Sequence, residues 1–264
     1  MTLDAEKITI PTTVILLGAT GDLAQKKLLI SFFHLHQKGL LPDNFHILGV
    51  SKDAYTNETY RAFAREQLEK RGAENTELID VFLNTISYIS GMFNETETFD
   101  AIKQHVEQYE KTIGMCTGKL FYIATHPRLY ETVFDKIAKV RLETPCDDGI
   151  GWTRVLVEKP FGKDLQNAQH LDTKLARLFK EKQIYRIDHY LAKNALRDIL
   201  SFRFSNIFFE NRWNKKYINS ITIRAHEAFG LENRGAFFDG VGALRDVGQN
   251  HILQMLALIG MEYP

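Results

Sequence analysis

The strongest constraint on what this chain can become lies near its start. The apolar run Thr13-Val14-Ile15-Leu16-Leu17 breaks directly into Gly18-Ala19-Thr20-Gly21-Asp22-Leu23, and a long helical stretch follows. A β-rich run, a glycine turn and a helix in immediate succession open a βαβ unit. The pattern recurs at His46-Ile47-Leu48-Gly49-Val50, at Lys119-Leu120-Phe121-Tyr122-Ile123-Ala124 and at Arg154-Val155-Leu156-Val157. These runs are nearly all apolar, as strands covered by helices on both faces must be, which predicts a doubly wound parallel α/β sheet. Past residue 180 the pattern changes. A polar segment containing His and Tyr, predicted helical, precedes an alternating strand at Ile221-Thr222-Ile223-Arg224 and an apolar helix from His251 to Ile259, predicted to be buried. We read this as the start of an incomplete α+β domain, with a division at 1–185 and 186–264.

Composition narrows the partners. Lysine plus arginine, 33, balances aspartate plus glutamate, 33, so nucleic acid is not the expected partner, although a few convergent groups still suffice for a small anion. No apolar run approaches a membrane span, and Met1–Pro11 lacks the apolar core of a secretory signal, which predicts a cytoplasmic protein. Cys116 and Cys146 are the only cysteines. Two are too few for a disulfide framework and match no metal spacing, so reduced thiols and no metal site are expected.

Gly18-Ala19-Thr20-Gly21-Asp22-Leu23 lies between a strand and a helix, where free amides and the positive end of the helix dipole attract a pyrophosphate. The spacing departs from the G-x-G-x-x-G fingerprint, and by pattern alone a plain βα turn stays open. After the second strand come Ser51-Lys52-Asp53; Ser51 and Lys52 suit a 2′-phosphate, whereas Asp53 suits a ribose hydroxyl. This favours NADP. Glu158-Lys159-Pro160-Phe161-Gly162 sits at a strand's carboxyl end, where open α/β sheets bind ligands.

Two further clusters carry chemistry. In Arg186-Ile187-Asp188-His189-Tyr190-Leu191-Ala192-Lys193, a helix would place His189 and Lys193 on one face, converging on an anion, though from spacing alone a solvated face with a neutral histidine is the favoured reading. Arg245-Asp246-Val247-Gly248-Gln249-Asn250-His251 puts polar residues at the head of the apolar helix, and His251 as a satisfied core histidine is the plain alternative. On an α-helix Asp246 and His251 would stand about 140° apart.

Together these four motifs, in this order, resemble those of glucose-6-phosphate dehydrogenase, and Glu227-Ala228-Phe229-Gly230 resembles the family's acidic substrate loop. The similarity runs from Thr13 to Pro264. It implies a Rossmann-like NADP-binding domain followed by the beginning of the catalytic domain, and hydride transfer from C1 of D-glucose 6-phosphate to NADP. By the same resemblance His251 is the general base and Asp188 the carboxylate that orients it. His189, Tyr190 and Lys193 bind the substrate phosphate, Glu227 and Asp246 accept from sugar hydroxyls, and Lys159 lies between cofactor and sugar. Pro160 would be a cis proline. Cofactor contacts would fall on Gly18, Thr20, Gly21, Asp22, Leu23, Ser51, Lys52, Tyr130 and Lys159. The resemblance also implies a homodimer, with the region that builds the family's interface expected to be missing from this sequence.

Departures are visible. Ala192 and Asn194 replace the family's usual glycine and glutamate, Lys52 replaces an arginine that could clamp phosphate with two bonds, and His126 replaces a proline. The missing C-terminal region predicts exposed apolar surface in the second domain. Two other readings follow from the residues: a nucleotide-binding or regulatory module without turnover, and an oxidoreductase of an unphosphorylated pyranose.

Overall fold

The structure, a computed structural model, describes residues 8–146, 151–159, 161–162, 164–188, 193–226, 230, 235, 239 and 242–262. The chain divides into two compact units, Met1–Arg186 and Ile187–Pro264.

The first unit is built on six strands: β1 (Thr12–Leu17), β2 (Phe45–Ser51), β3 (Ile86–Ser90), β4 (Gly118–Ile123), β5 (Thr153–Val157) and β6 (Ile184–Arg186). Their order is β3-β2-β1-β4-β5-β6, with every pair parallel. The chain thus builds outward from β1 in one direction, then returns to β1's other side and builds outward again. This is the doubly wound Rossmann-like topology, with its switch point between β1 and β4. Every residue of β1 and β2 is buried, as two-sided coverage requires.

The helices supply that coverage. A π-helical stretch, Ala24–Leu28, leads into α1 (Leu29–Gln37); α2 (Asn57–Glu69) and α3 (Thr76–Asn84) pack with it. On the other side are α4 (Thr96–Ile113), α5 (Tyr130–Lys139) and α6 (Leu165–Leu178). The parallel register aligns Ile15 with Leu48 and Phe121, and Leu17 with Val50 and Ile123. These side chains share one face and pack with Phe99 and Ile102 of α4, Val133 and Phe134 of α5, and Leu171 and Leu175 of α6 in one buried cluster. Local chemistry sets the helix ends: Thr56 and Thr59 cap α2 reciprocally, Asn75 accepts from Leu78 N–H at 3.0 Å, and Asp164 accepts from Asn167 N–H at 2.8 Å. Gly114 ends α4 at φ 68°, a left-handed conformation that glycine adopts without steric cost.

The second unit contains α7 (Asn194–Phe204), α8 (Ile207–Glu210), a π-helical stretch (Leu244–Ile252) and α9 (Leu253–Gly260). Its anchor is Arg203, whose side chain is 2% exposed and donates to the carbonyls of Leu258 (2.8 Å), Ile259 (2.9 Å) and Met261 (2.8 Å). Trp213 donates from its indole to Ile259 O at 2.7 Å. Between them they satisfy two of the carbonyls that the C-terminus of α9 leaves without intrahelical partners, those of Leu258 and Ile259.

Several expectations need correction. Residues 221–224 form no strand: alternation defines two faces, but a strand also needs a paired neighbour, and Ile221 is 48% exposed. The apolar helix α9 is not buried, since Leu253 and Leu256 are each about half exposed. Cys116 and Cys146 are not free thiols; they form a disulfide. One cysteine precedes β4 and the other lies ahead of β5, and lateral pairing of those strands brings the two segments together. No helix among the described residues is long and apolar enough to cross a membrane.

Candidate dinucleotide site at the carboxyl edge of the sheet

The loop after β1 turns because of Gly18. Its φ is 95°, and a Cβ placed there would lie 2.4 Å from Ala124 O and 3.3 Å from Thr125 Cγ2. The loop is thereby pressed against the end of β4. Gly18 N–H and Ala19 N–H both donate to Val50 O, and Gly21 N–H donates to Gly18 O. The helix begins at Asp22-Leu23, where backbone N–H groups lack intrahelical acceptors and the dipole is positive. Asp22 is exposed and ion-paired with Lys26 at 2.7 Å.

The loop after β2 is tied to the first one. The hydroxyls of Thr20 and Ser51 lie 2.7 Å apart, and Thr20 donates to Asp53 Oδ2. Ser51 Oγ reaches the same oxygen at 3.4 Å. Tyr88 donates from its hydroxyl to the carbonyls of Ser51 (3.1 Å) and Asp53 (2.8 Å), and Tyr60 donates to Ala19 O at 3.0 Å. Burial, with Asp53 adding to it, pushes the Tyr88 hydroxyl up to about 12, so it stays a donor. Asp53 is therefore engaged in holding the two loops together, while Lys52 is exposed. That geometry leaves Lys52 as the group presented to solvent beside Ser51.

At the far side of the switch point, Tyr122 donates to Glu158 Oε1 at 2.7 Å, and Tyr130 donates to Glu158 O at 3.2 Å. Burial first, and then Glu158, raises both tyrosines far above their usual range. Tyr130 is fully buried. Contrary to the sequence expectation, it presents no surface to a ligand; it holds the end of β5, from which the half-buried Lys159 follows. Gly162, at φ 85°, lets the chain pass α6: a Cβ there would sit 2.6 Å from Ala168 N. His126 caps the turn after β4 by accepting from Arg128 N–H at 3.2 Å.

One group went unnoticed in the sequence. Thr125, whose Cγ2 lies beside Gly18 just beyond β4, has a buried Oγ1 with no hydrogen-bond partner among the described residues. A polar ligand seated on the glycine loop would satisfy it, and the only signal in the sequence was a threonine directly after a strand end.

Gly18, Thr20, Gly21, Asp22, Leu23, Ser51 and Lys52 thus come together at the carboxyl ends of β1 and β2, and Lys159 follows the carboxyl end of β5. In the second unit, His251 is 6% exposed within the π-helical stretch, which also carries Asp246. Hydrogen bonding from i to i+5 puts residues five apart on adjoining turns, so the 140° separation expected from an α-helix does not hold. Asp188 follows β6, and Lys193 is the extended residue at the N-cap of α7 with φ −69° and ψ 133°. Asn194 opens α7 and is exposed. Pro160, His189, Tyr190, Ala192 and Glu227 lie outside the described residues.

Comparison with known proteins agrees with this geometry. Residues 15–198 match the family profile "Glucose-6-phosphate dehydrogenase, NAD binding domain", and residues 200–264 match "Glucose-6-phosphate dehydrogenase, C-terminal domain". A cytoplasmic glucose-6-phosphate 1-dehydrogenase of Arabidopsis thaliana is 41% identical over 257 residues, covering 96% of this chain and 50% of its own length. The Aspergillus niger enzyme is 39% identical, with 96% and 48% covered. A solved glucose-6-phosphate dehydrogenase in complex with its substrate superposes at TM-score 0.87 and 38% identity, covering 98% of this chain and 53% of that one. The Mycobacterium avium structure gives 0.79 and 33%, with 96% and 53% covered. The chain spans about half the length of the curated relatives it matches, and it belongs to the glucose-6-phosphate dehydrogenase family.

Proposed function

We propose that this chain carries the NADP-binding part and the catalytic base of an oxidoreductase that converts D-glucose 6-phosphate to 6-phospho-D-glucono-1,5-lactone, the first step of the oxidative pentose phosphate pathway. The observation that supports it most is the carboxyl edge of four neighbouring strands, β2-β1-β4-β5. There the Gly18 loop, Ser51-Lys52 and Lys159 follow the strand ends, with Thr125, whose buried hydroxyl has no partner among the described residues, beside the loop. The glycine cradle and the orphaned hydroxyl fit a dinucleotide phosphate. Lys52 supplies the positive charge that a 2′-phosphate requires, as a point charge and not as a planar clamp.

NADP, when bound, accepts the hydride that leaves C1. The residues of the chain have separate tasks. His251 takes the proton of the C1 hydroxyl, a transfer suited to an imidazole because its ordinary pKa lies near neutrality. Asp188 fixes the imidazole tautomer and steadies the imidazolium. Lys193, with His189 and Tyr190, holds the phosphoryl group. Asp246 and Glu227 accept from sugar hydroxyls, and Lys159 fixes the reacting end. The phosphate group distinguishes this reading from that of an oxidoreductase of an unphosphorylated pyranose.

The test is NADP reduction by the protein with glucose 6-phosphate, against glucose and against NAD, for the wild type and His251→Asn. We expect a strict requirement for the phosphate and a fall of about 10²- to 10⁴-fold in kcat on losing the base. Lys193→Ala should raise KM while leaving kcat nearly unchanged, because it removes binding common to ground and transition states. Equal rates with glucose would turn the reading to an unphosphorylated pyranose. Tight NADP binding without turnover would turn it to a binding module. A full rate in His251→Asn would remove the assigned base.

A further inference from the structure

At the amino-terminal ends of the strands, β4's length of about 20 Å from the dinucleotide loop, three side chains converge that the proposed reaction does not use. Cys116 lies just before β4, Cys146 lies in the segment ahead of β5, and Glu110 stands in the last turn of α4. Their ligand atoms, two Sγ and one carboxylate oxygen, all lie within 4.8 Å of one another, and all three residues are half-buried. The two sulfurs form a disulfide whose Cα atoms are 6.2 Å apart, and Cys146 Sγ is 3.6 Å from Glu110 Oε1.

We propose that, once this disulfide is reduced, Cys116, Cys146 and Glu110 bind one thiophilic divalent cation of the zinc class, with water in the fourth position. Tetrahedral zinc with Zn–S near 2.3 Å and Zn–O near 2.0–2.2 Å has an S···O edge of about 3.5 Å. The 3.6 Å separation of Cys146 Sγ and Glu110 Oε1 matches that edge before any movement. The carboxylate is also held in place: Oε1 accepts from Thr117 N–H at 2.8 Å and from Thr117 Oγ1 at 3.0 Å. Such outer bonds orient a ligating carboxylate and favour its ionised form. An open depression of about 410 Å³, lined by Glu107, Glu110, Lys111, Gly114, Met115 and Cys116, gives an ion and its water access. Lys119, buried in β4, directs its ammonium to Thr144 O at 2.6 Å.

The chemistry balances with a phosphine reductant. The phosphine takes up oxygen from one water as the S–S bond breaks, giving phosphine oxide and two thiols, and cation binding then displaces two protons. Thiolate ligation is thus possible only in the reduced chain.

The test uses the whole chain, reduced with a phosphine that does not itself chelate metals, and cobalt(II) as the probe. We expect one cobalt per chain, a thiolate-to-cobalt charge-transfer band, and displacement by stoichiometric zinc. Because Cys116 and Cys146 are the only cysteines, that band can come only from this pair. The oxidised chain should give no band, a comparison that needs no substitution and so survives any variant that fails to fold. Cys116→Ser and Cys146→Ser should lose the band, and Glu110→Gln should bind at least tenfold more weakly. A reduced wild type that gives no band, a band in the oxidised chain, a band surviving either serine variant, or unchanged affinity in Glu110→Gln would each overturn the proposal.

Discussion

Replacing Gly18 by alanine separates two costs that are usually merged. At φ 95° a side chain is strained whatever surrounds it, a backbone term of about 1–2 kcal/mol. The new Cβ would also lie 2.4 Å from Ala124 O and 3.0 Å from Ala124 C. Both are backbone atoms of a sheet end, which cannot rotate away as a flexible side chain would, and overpacking of that kind costs about 1–3 kcal/mol. The sum for Gly18→Ala is about 2–5 kcal/mol. Gly72 provides the control, because its φ of 84° is similar but nothing lies within 4 Å of the added Cβ; Gly72→Ala should therefore cost only the backbone term. Urea denaturation of both variants measures the difference. With a slope of about 3 kcal/mol per molar, an extra 1–3 kcal/mol moves the midpoint of Gly18→Ala below that of Gly72→Ala by about 0.3–1 M. Equal midpoints for the two variants would refute the claim that the loop is pressed onto β4.

The remaining predictions concern other parts of the molecule. His46 is 6% exposed, stacks on His105 and Tyr109, and is lowered to about 4, first by burial and then by His105 and Arg61. Because the unfolded chain takes up this proton near 6.5 and the folded one only near 4, stability from His46 is complete above 6.5. It is lost as pH falls across that window, by about 3 kcal/mol in total. His46→Phe should flatten the pH dependence of the urea midpoint between pH 6.5 and 4, and an unchanged slope would count against it. In the second unit, Arg203→Met keeps the stem but removes the donors to Leu258, Ile259 and Met261; at about 1 kcal/mol per bond it should cost about 3 kcal/mol. Limited proteolysis should then cut Leu253–Gly260 faster, and an unaltered cleavage rate would show that Arg203 does not anchor α9.

What the sequence made legible was what burial alone decides. β1, β2, β4 and β5 were readable because apolar runs bounded by turns can only be strands or helix fragments, and their lengths favoured strands. β3 escaped because Ile86-Ser87-Tyr88-Ile89-Ser90 alternates polar residues into a short run. β6 escaped because it spans three residues, with Tyr185 and Arg186 exposed. The glycine loop and the Ser51-Lys52-Asp53 turn were legible as chemistry, but the lock between them was not. Which partner Asp53 takes depends on how the ends of β1 and β2 are set side by side. The same limit hid the Cys116–Cys146 disulfide, whose partners are 30 residues apart and meet only through strand pairing. Tyr130 and the Asp246–His251 spacing failed for a related reason: neither burial depth nor a π-helical turn is encoded in residue spacing.

In the proposed function the carboxyl edge of the sheet holds NADP through the Gly18 loop and Lys52. An equilibrium titration of NADP and of NAD into the wild type and Lys52→Glu tests this most directly. Losing the cation and adding an anion beside the 2′-phosphate should weaken NADP about tenfold or more, each tenfold being 1.4 kcal/mol, while leaving NAD binding within about twofold. No dinucleotide binding by the wild type, or equal weakening of both cofactors, would contradict it.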